Sequence, residues 1–112
     1  MKQQHLIRSL TEAAPEFEKL DWLEEVVLFG PALEEDPVED DVDLLLVAGR
    51  ALSREEKQQA KSRLRETLEA RIQQSLDLRI TTSRAIETTR GKNVGVGRIF
   101  RHQTFHIFRR EG

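Results

Sequence analysis

The sequence predicts one small α/β (α+β) domain, a mixed β-sheet with helices packed mainly on one face. Three observations carry this expectation. Short apolar runs at 26–29 and 42–47 have the unbroken hydrophobicity of strands covered on both faces. A capped amphipathic stretch begins at Ser53, and an alternating run from Leu76 to Thr82 follows it. The resulting order, α-β-loop-β-α-β-(α)-β, is that of a sheet layered against helices.

The elements follow in chain order. Residues 3–13 predict a helix with Leu6, Ile7 and Leu10 on one face, ending before Pro15 because the residue preceding a proline avoids helical geometry. A second helical stretch is expected over 15–23, burying Phe17, Leu20 and Leu23, with Trp22 packed between it and the first strand. The first strand, Val26 to Phe29, stops at Gly30-Pro31, and the second runs from Val42 to Val47. Ser53 and Glu56 form a capping box, each side chain satisfying a free backbone amide of the next helix. Ala60, Leu64, Leu68 and Ile72 then recur every fourth residue as the buried stripe. In the third strand, Leu76, Leu78 and Ile80 share one face while Asp77, Arg79 and Thr81 share the other. Beyond it the expectation is a short helix near 84–89, a glycine-loosened loop, a helical turn around 96–101 and a terminal strand at 104–109. On that strand His106 is expected to face away from Phe105, Ile107 and Phe108, as a half-buried strand residue and not a ligand.

At 112 residues the chain, 1–112, is read as a single domain. The absence of cysteine excludes disulfide stapling, thiolate metal sites and thiol nucleophiles. No apolar run approaches the roughly 20 residues of a membrane span, and the N-terminus has no signal-peptide core, so a cytoplasmic location is expected. Net charge is −2, but unevenly spread. Residues 34–43 hold seven acids and no base, whereas 79–110 are rich in arginine and lysine. The acidic run reads first as a solvated loop. Scattered arginines without an aromatic platform argue against nucleic acid such as a transfer-RNA end; a basic surface for an acidic protein is equally compatible.

The most informative constellation is Phe29-Gly30-Pro31 followed by Asp41-Val42-Asp43-Leu44. Alternate strand residues project together, so Asp41 and Asp43 share a face. Paired carboxylates repel unless a cation lies between them, most often a divalent metal. Asp77 joins them if the third strand lies beside the second. An acid paired with Arg79 is an equally good account of Asp77 by itself. Three carboxylates on neighbouring strands are a ligand set for one or two Mg²⁺ ions shared with substrate phosphates.

Across residues 24–82 these features resemble the nucleotidyltransferase superfamily related to DNA polymerase β. The short length looks like its minimal (MNT-type) branch, often encoded beside a helical HEPN partner in bacterial toxin–antitoxin pairs. The resemblance implies a Mg²⁺-dependent transfer of a nucleoside monophosphate, expected to be AMP from ATP, to a hydroxyl on a protein or small molecule. A tyrosine of a HEPN toxin is one such acceptor. By the same resemblance Asp41 and Asp43 hold metal, Asp77 completes the metal site and assists deprotonation of the acceptor, and the turn at Gly30 and Pro31 meets the nucleotide's phosphates.

One position departs from the family pattern. Pro31 stands where the family has serine, and proline offers neither a hydroxyl nor an N–H. Losing one or two charge-assisted hydrogen bonds of about 1.5–3 kcal/mol each weakens triphosphate binding by about one to three orders of magnitude. The basic residue often found soon after the turn is also missing from 32–40. Two functional classes therefore stand side by side. One is a nucleotidyltransferase. The other is a catalytically weakened or inactive module of the same fold that acts by protein–protein contact, on a partner or as a homo-oligomer subunit.

Overall fold

The computed structural model describes residues 1–111. Strands β1 (Leu23–Phe29), β2 (Val42–Ala48), β3 (Leu76–Thr82) and β4 (Phe105–Arg109) form one sheet in the order β3-β2-β1-β4. β1 is antiparallel to both its neighbours, and β2 and β3 are parallel. The parallel pair needs a crossover, which helix α3 (Arg54–Ile72) supplies. Its capping box forms as read from the sequence: Ser53 Oγ accepts from Glu56 N at 3.1 Å and Ser53 N donates to Glu56 Oε1 at 3.0 Å. Ala60, Leu64, Leu68 and Ile72 are its buried residues.

Two apolar clusters sandwich the sheet. The larger joins Leu6 and Leu10 of α1 (Gln3–Glu12), Phe17 of α2 (Ala14–Glu18) and Leu64, Leu68 and Ile72 of α3 to Val26, Leu28, Leu44, Leu46 and Leu78 of the strands. The smaller, on the opposite face, gathers Val27, Leu45, Val47 and Ile99, with Ile86 and Val96 packed against it. Helix α4 (Ser83–Thr89) and a 3-10 segment, Gly95–Arg101, provide that second cover.

Three local expectations shift. The second helix ends at Glu18, and β1 starts at Leu23, three residues before the apolar run. Charge hid that start: Glu25 lies at the rim, where His106 and Arg109 of edge strand β4 pair with its carboxylate. Trp22 is half-buried against the larger cluster in the turn before β1, and its carbonyl accepts from Gly49 N at 2.9 Å. In β4 the alternation fails. Ile107 and Phe108 are both buried while Phe105 and His106 are both exposed, because the β1–β4 register slips between Val26 and Val27.

The acidic loop is more ordered than a solvated run implies. Val38 is fully buried, and its N–H donates to Met1 O at 2.7 Å. Asp36 accepts from Gln3 N at 3.1 Å. Glu35 accepts from the amides of Asp40 and Glu39, which hold its carboxyl below the usual range.

Candidate functional site

The strand pairing brings the predicted acids together. In the parallel β2–β3 ladder Asp43 stands directly beside Asp77, as Leu45 stands beside Arg79. Neighbouring strands are about 4.8 Å apart, so side chains on one face at one register level touch. Two hydrogen bonds fix that level: Val42 N donates to Ser75 O at 2.9 Å, and Leu76 N to Glu69 Oε2 at 2.6 Å. The face is the one opposite the larger core, since Val42, Leu44, Leu76 and Leu78 all point into that core.

The electrostatics follow from this placement. Asp43 is half-buried, whereas Asp41 and Asp77 are exposed. Burial, then the negative charge of Asp77 and a hydrogen bond with it, and then the charge of Asp41 push the Asp43 carboxyl up to about 6. Arg79, on the same face of β3, pulls the other way. Asp43 and Asp77 therefore form a close pair, with Asp41 near enough to be felt. Among the described residues, no three acidic or histidine side chains are drawn together tightly enough to grip an ion in their present rotamers. The donor set is nonetheless all carboxylate oxygen, the set a hard divalent cation takes. The carboxyls already in repulsive contact are the ones such an ion would relieve, so these residues fit the metal.

Gly30 is tied to the same pair. It ends β1 with φ +81°, where L side chains are strained. A Cβ there would run into the Asp43 carboxylate, lying 3.2 Å from Cγ and closer still to Oδ2. Phe29 faces Asp43 across the β1–β2 ladder. Pro31 opens a 3-10 turn, Pro31–Leu33, with its ring at the first position, where a missing N–H disturbs no internal bond. The structure thus sets Gly30 and Pro31 beside the carboxylates, and Pro31 brings no donor to that edge.

Sequence reasoning did not connect the glycine turn with the residues that share a cleft with it. A cleft of about 290 Å³ is lined by Gly30 and Pro31 together with Arg98, Ile99 and His102. A second cleft, lined by Arg79, Thr81 and Thr89, also has Arg98 in its wall. The sequence signal was weak: an arginine between Gly97 and Ile99 in a glycine-rich stretch, far along the chain from the aspartates. No described helix is long and apolar enough to cross a membrane.

No protein-family model matches the sequence, and no curated protein matches it. Solved structures do resemble the fold. A proposed nucleotidyltransferase from Sulfolobus solfataricus superposes with a TM-score of 0.55 at 20% identity, over 77% of this chain and 75% of that one. A chain of the complex between tri-AMPylated Shewanella oneidensis HEPN toxin and its MNT antitoxin gives a TM-score of 0.51 at 15% identity, over 93% of this chain and 73% of that one. Together with the mixed four-stranded sheet, these likenesses establish that the chain has a nucleotidyltransferase-like fold.

Proposed function

We propose that this protein transfers a nucleoside monophosphate from a nucleoside triphosphate, ATP first among them, to a hydroxyl of a partner protein, with Mg²⁺ as cofactor. The observation that carries the reading is the Asp43–Asp77 pair beside Gly30, on the face of a nucleotidyltransferase-like sheet opposite the larger core. Asp43, Asp77 and Asp41 would hold the metal. When bound, Mg²⁺ neutralises phosphate charge and makes the acceptor hydroxyl more acidic. Asp77, the exposed member of the pair, accepts the hydroxyl proton on a carboxylate oxygen. The acceptor oxygen then bonds to the α-phosphorus as the bridging P–O bond breaks, and pyrophosphate leaves. Gly30, lacking a side chain, leaves room for phosphates to approach the backbone beside Asp43.

The likeness to the HEPN–MNT complex supports a HEPN-type protein as the acceptor, since the toxin there is AMPylated. A second reading has its own support. Pro31 withdraws the donors of the glycine turn, which suits a binding module of the same fold that neutralises a partner by contact. Incubation with Mg²⁺ and ATP labelled at the α-phosphate, with the protein encoded next to this one, separates the two. Label transfer that vanishes in Asp43→Ala supports the enzyme. Complex formation without transfer, unchanged in Asp43→Ala, supports the binding module.

A further inference from the structure

A triphosphate brought to this site meets three acids and, at the glycine turn, a proline without an N–H, so donors for its terminal phosphates have to come from elsewhere in the fold. Arg98 has the position for it. It lines two clefts, one shared with Gly30, whose backbone abuts the Asp43 carboxylate, and one shared with Arg79, whose charge Asp43 feels. Its backbone is braced on each side. Gly97 is buried so closely that an added Cβ would lie 2.7 Å from Lys92 O and nearer still to Thr89 O, and Ile99 is buried in the smaller core. Its side chain is anchored through Nε, which donates to Asn93 O at 2.9 Å. Among the described residues neither Nη group forms a hydrogen bond or ion pair, so the fork of the guanidinium is left to solvent. A rigidly based guanidinium with both terminal nitrogens unengaged is suited to a phosphate.

We infer that Arg98 binds the terminal phosphates of the nucleoside triphosphate, taking the place of the donors that Pro31 removes. Arg79 assists from the same side, and Glu34, an acid that also lines the first cleft, sets a limit on the charge gained. This inference rests on the proposed nucleotide-binding role of the site and adds the 3-10 segment to the glycine turn as the source of phosphate donors.

The test titrates Mn²⁺ alone, Mg²⁺-ATP and Mg²⁺-AMP into the whole protein by calorimetry, for the parent chain, Arg98→Ala and Arg98→Lys. The expected result is a loss of about tenfold to a hundredfold in Mg²⁺-ATP affinity in Arg98→Ala, roughly one charge-assisted pair. Mg²⁺-AMP and Mn²⁺ affinities and the thermal midpoint stay at parent values, and Arg98→Lys keeps part of the ATP preference. Parent-like ATP affinity in Arg98→Ala overturns the assignment while leaving the carboxylate site standing. Loss of Mn²⁺ affinity in Arg98→Ala also overturns it, since Arg98 would then only support the fold. If the parent chain binds neither Mn²⁺ nor Mg²⁺-ATP, the assignment and the proposed function fall together.

Discussion

Replacing Asp43 with asparagine should make the metal-free protein more stable. In the folded chain the Asp43 carboxyl titrates at about 6, against 3.8 for an unperturbed aspartate. The native state therefore holds this proton more tightly than the unfolded state does. Stability from this group is greatest below pH 3.8, falls as pH rises through 6, and is at its lowest above that. The full shift corresponds to about 3 kcal/mol. Asp43 is only half-buried, so screening by water reduces the expected penalty to about 1 kcal/mol. The amide that Asp43→Asn introduces carries no charge and can donate to Asp77. In a chain of 112 residues, about 1 kcal/mol moves the thermal midpoint by about 4 °C.

Thermal melts in chelator, at about pH 4 and about pH 7.5, bracket this titration. Asp43→Asn should match the parent in acid and exceed it by about 4 °C at the higher pH. The depressed carboxyls of Glu56 and Glu35 respond to acid in the opposite sense, but they are common to both proteins and cancel in the difference. Adding Mg²⁺ at the higher pH should then raise the parent's midpoint and leave the variant's alone. A variant no more stable than the parent above neutrality, or a difference of the same size at both pH values, would mean that Asp43 is not held in repulsive contact with Asp77.

Other perturbations test neighbouring parts of the fold and site. Gly30→Ala combines a strained positive φ with a Cβ driven into Asp43, and should cost about 2–3 kcal/mol in chemical denaturation; an unchanged midpoint would mean that the turn relaxes freely. Arg110→Ala should cost about 2 kcal/mol, because its guanidinium donates to the carbonyls of Leu23 (2.9 Å), Glu18 (3.1 Å) and Leu20 (2.8 Å) while lying 5.8 Å from the Phe108 ring centroid. Urea titration followed by Trp22 fluorescence measures that loss, and a value near zero would remove Arg110 as the clasp on the α2–β1 turn. Pro31→Ser restores a hydroxyl and an N–H beside Gly30 and should tighten Mg²⁺-ATP binding by about tenfold in calorimetry; a flat affinity would mean that the glycine turn does not meet the phosphates.

How much of this was legible in the sequence depends on range. The α3 cap, its four-residue stripe and the alternation of β3 are local patterns, and each is found where the residues put it. The same local logic placed Asp77 on the face away from Leu76 and Leu78. Its partner could only be supposed, because the Asp43–Asp77 register depends on which strands pair, a non-local choice made by the α3 crossover. Charged residues misled at strand ends: Glu24 and Glu25 concealed the start of β1, since a rim position lets a strand carry acids. The bulge that buries Ile107 and Phe108 together breaks the period on which a strand reading depends. Arg98 and His102 read as ordinary surface residues in the sequence, because a glycine-rich stretch carries no period to place them beside the glycine turn. Gly97 seats tightly on the carbonyls of Thr89 and Lys92, and Ile99, two residues on, packs into the smaller core.

Whether acids from two strands share one divalent cation is decided by anomalous diffraction from crystals soaked in Mn²⁺ at neutral pH. A peak is expected within about 2–2.5 Å of carboxylate oxygens from both Asp43 and Asp77, with Asp41 turned toward it. A peak elsewhere, or none while those two carboxyls share a proton, would contradict the shared site.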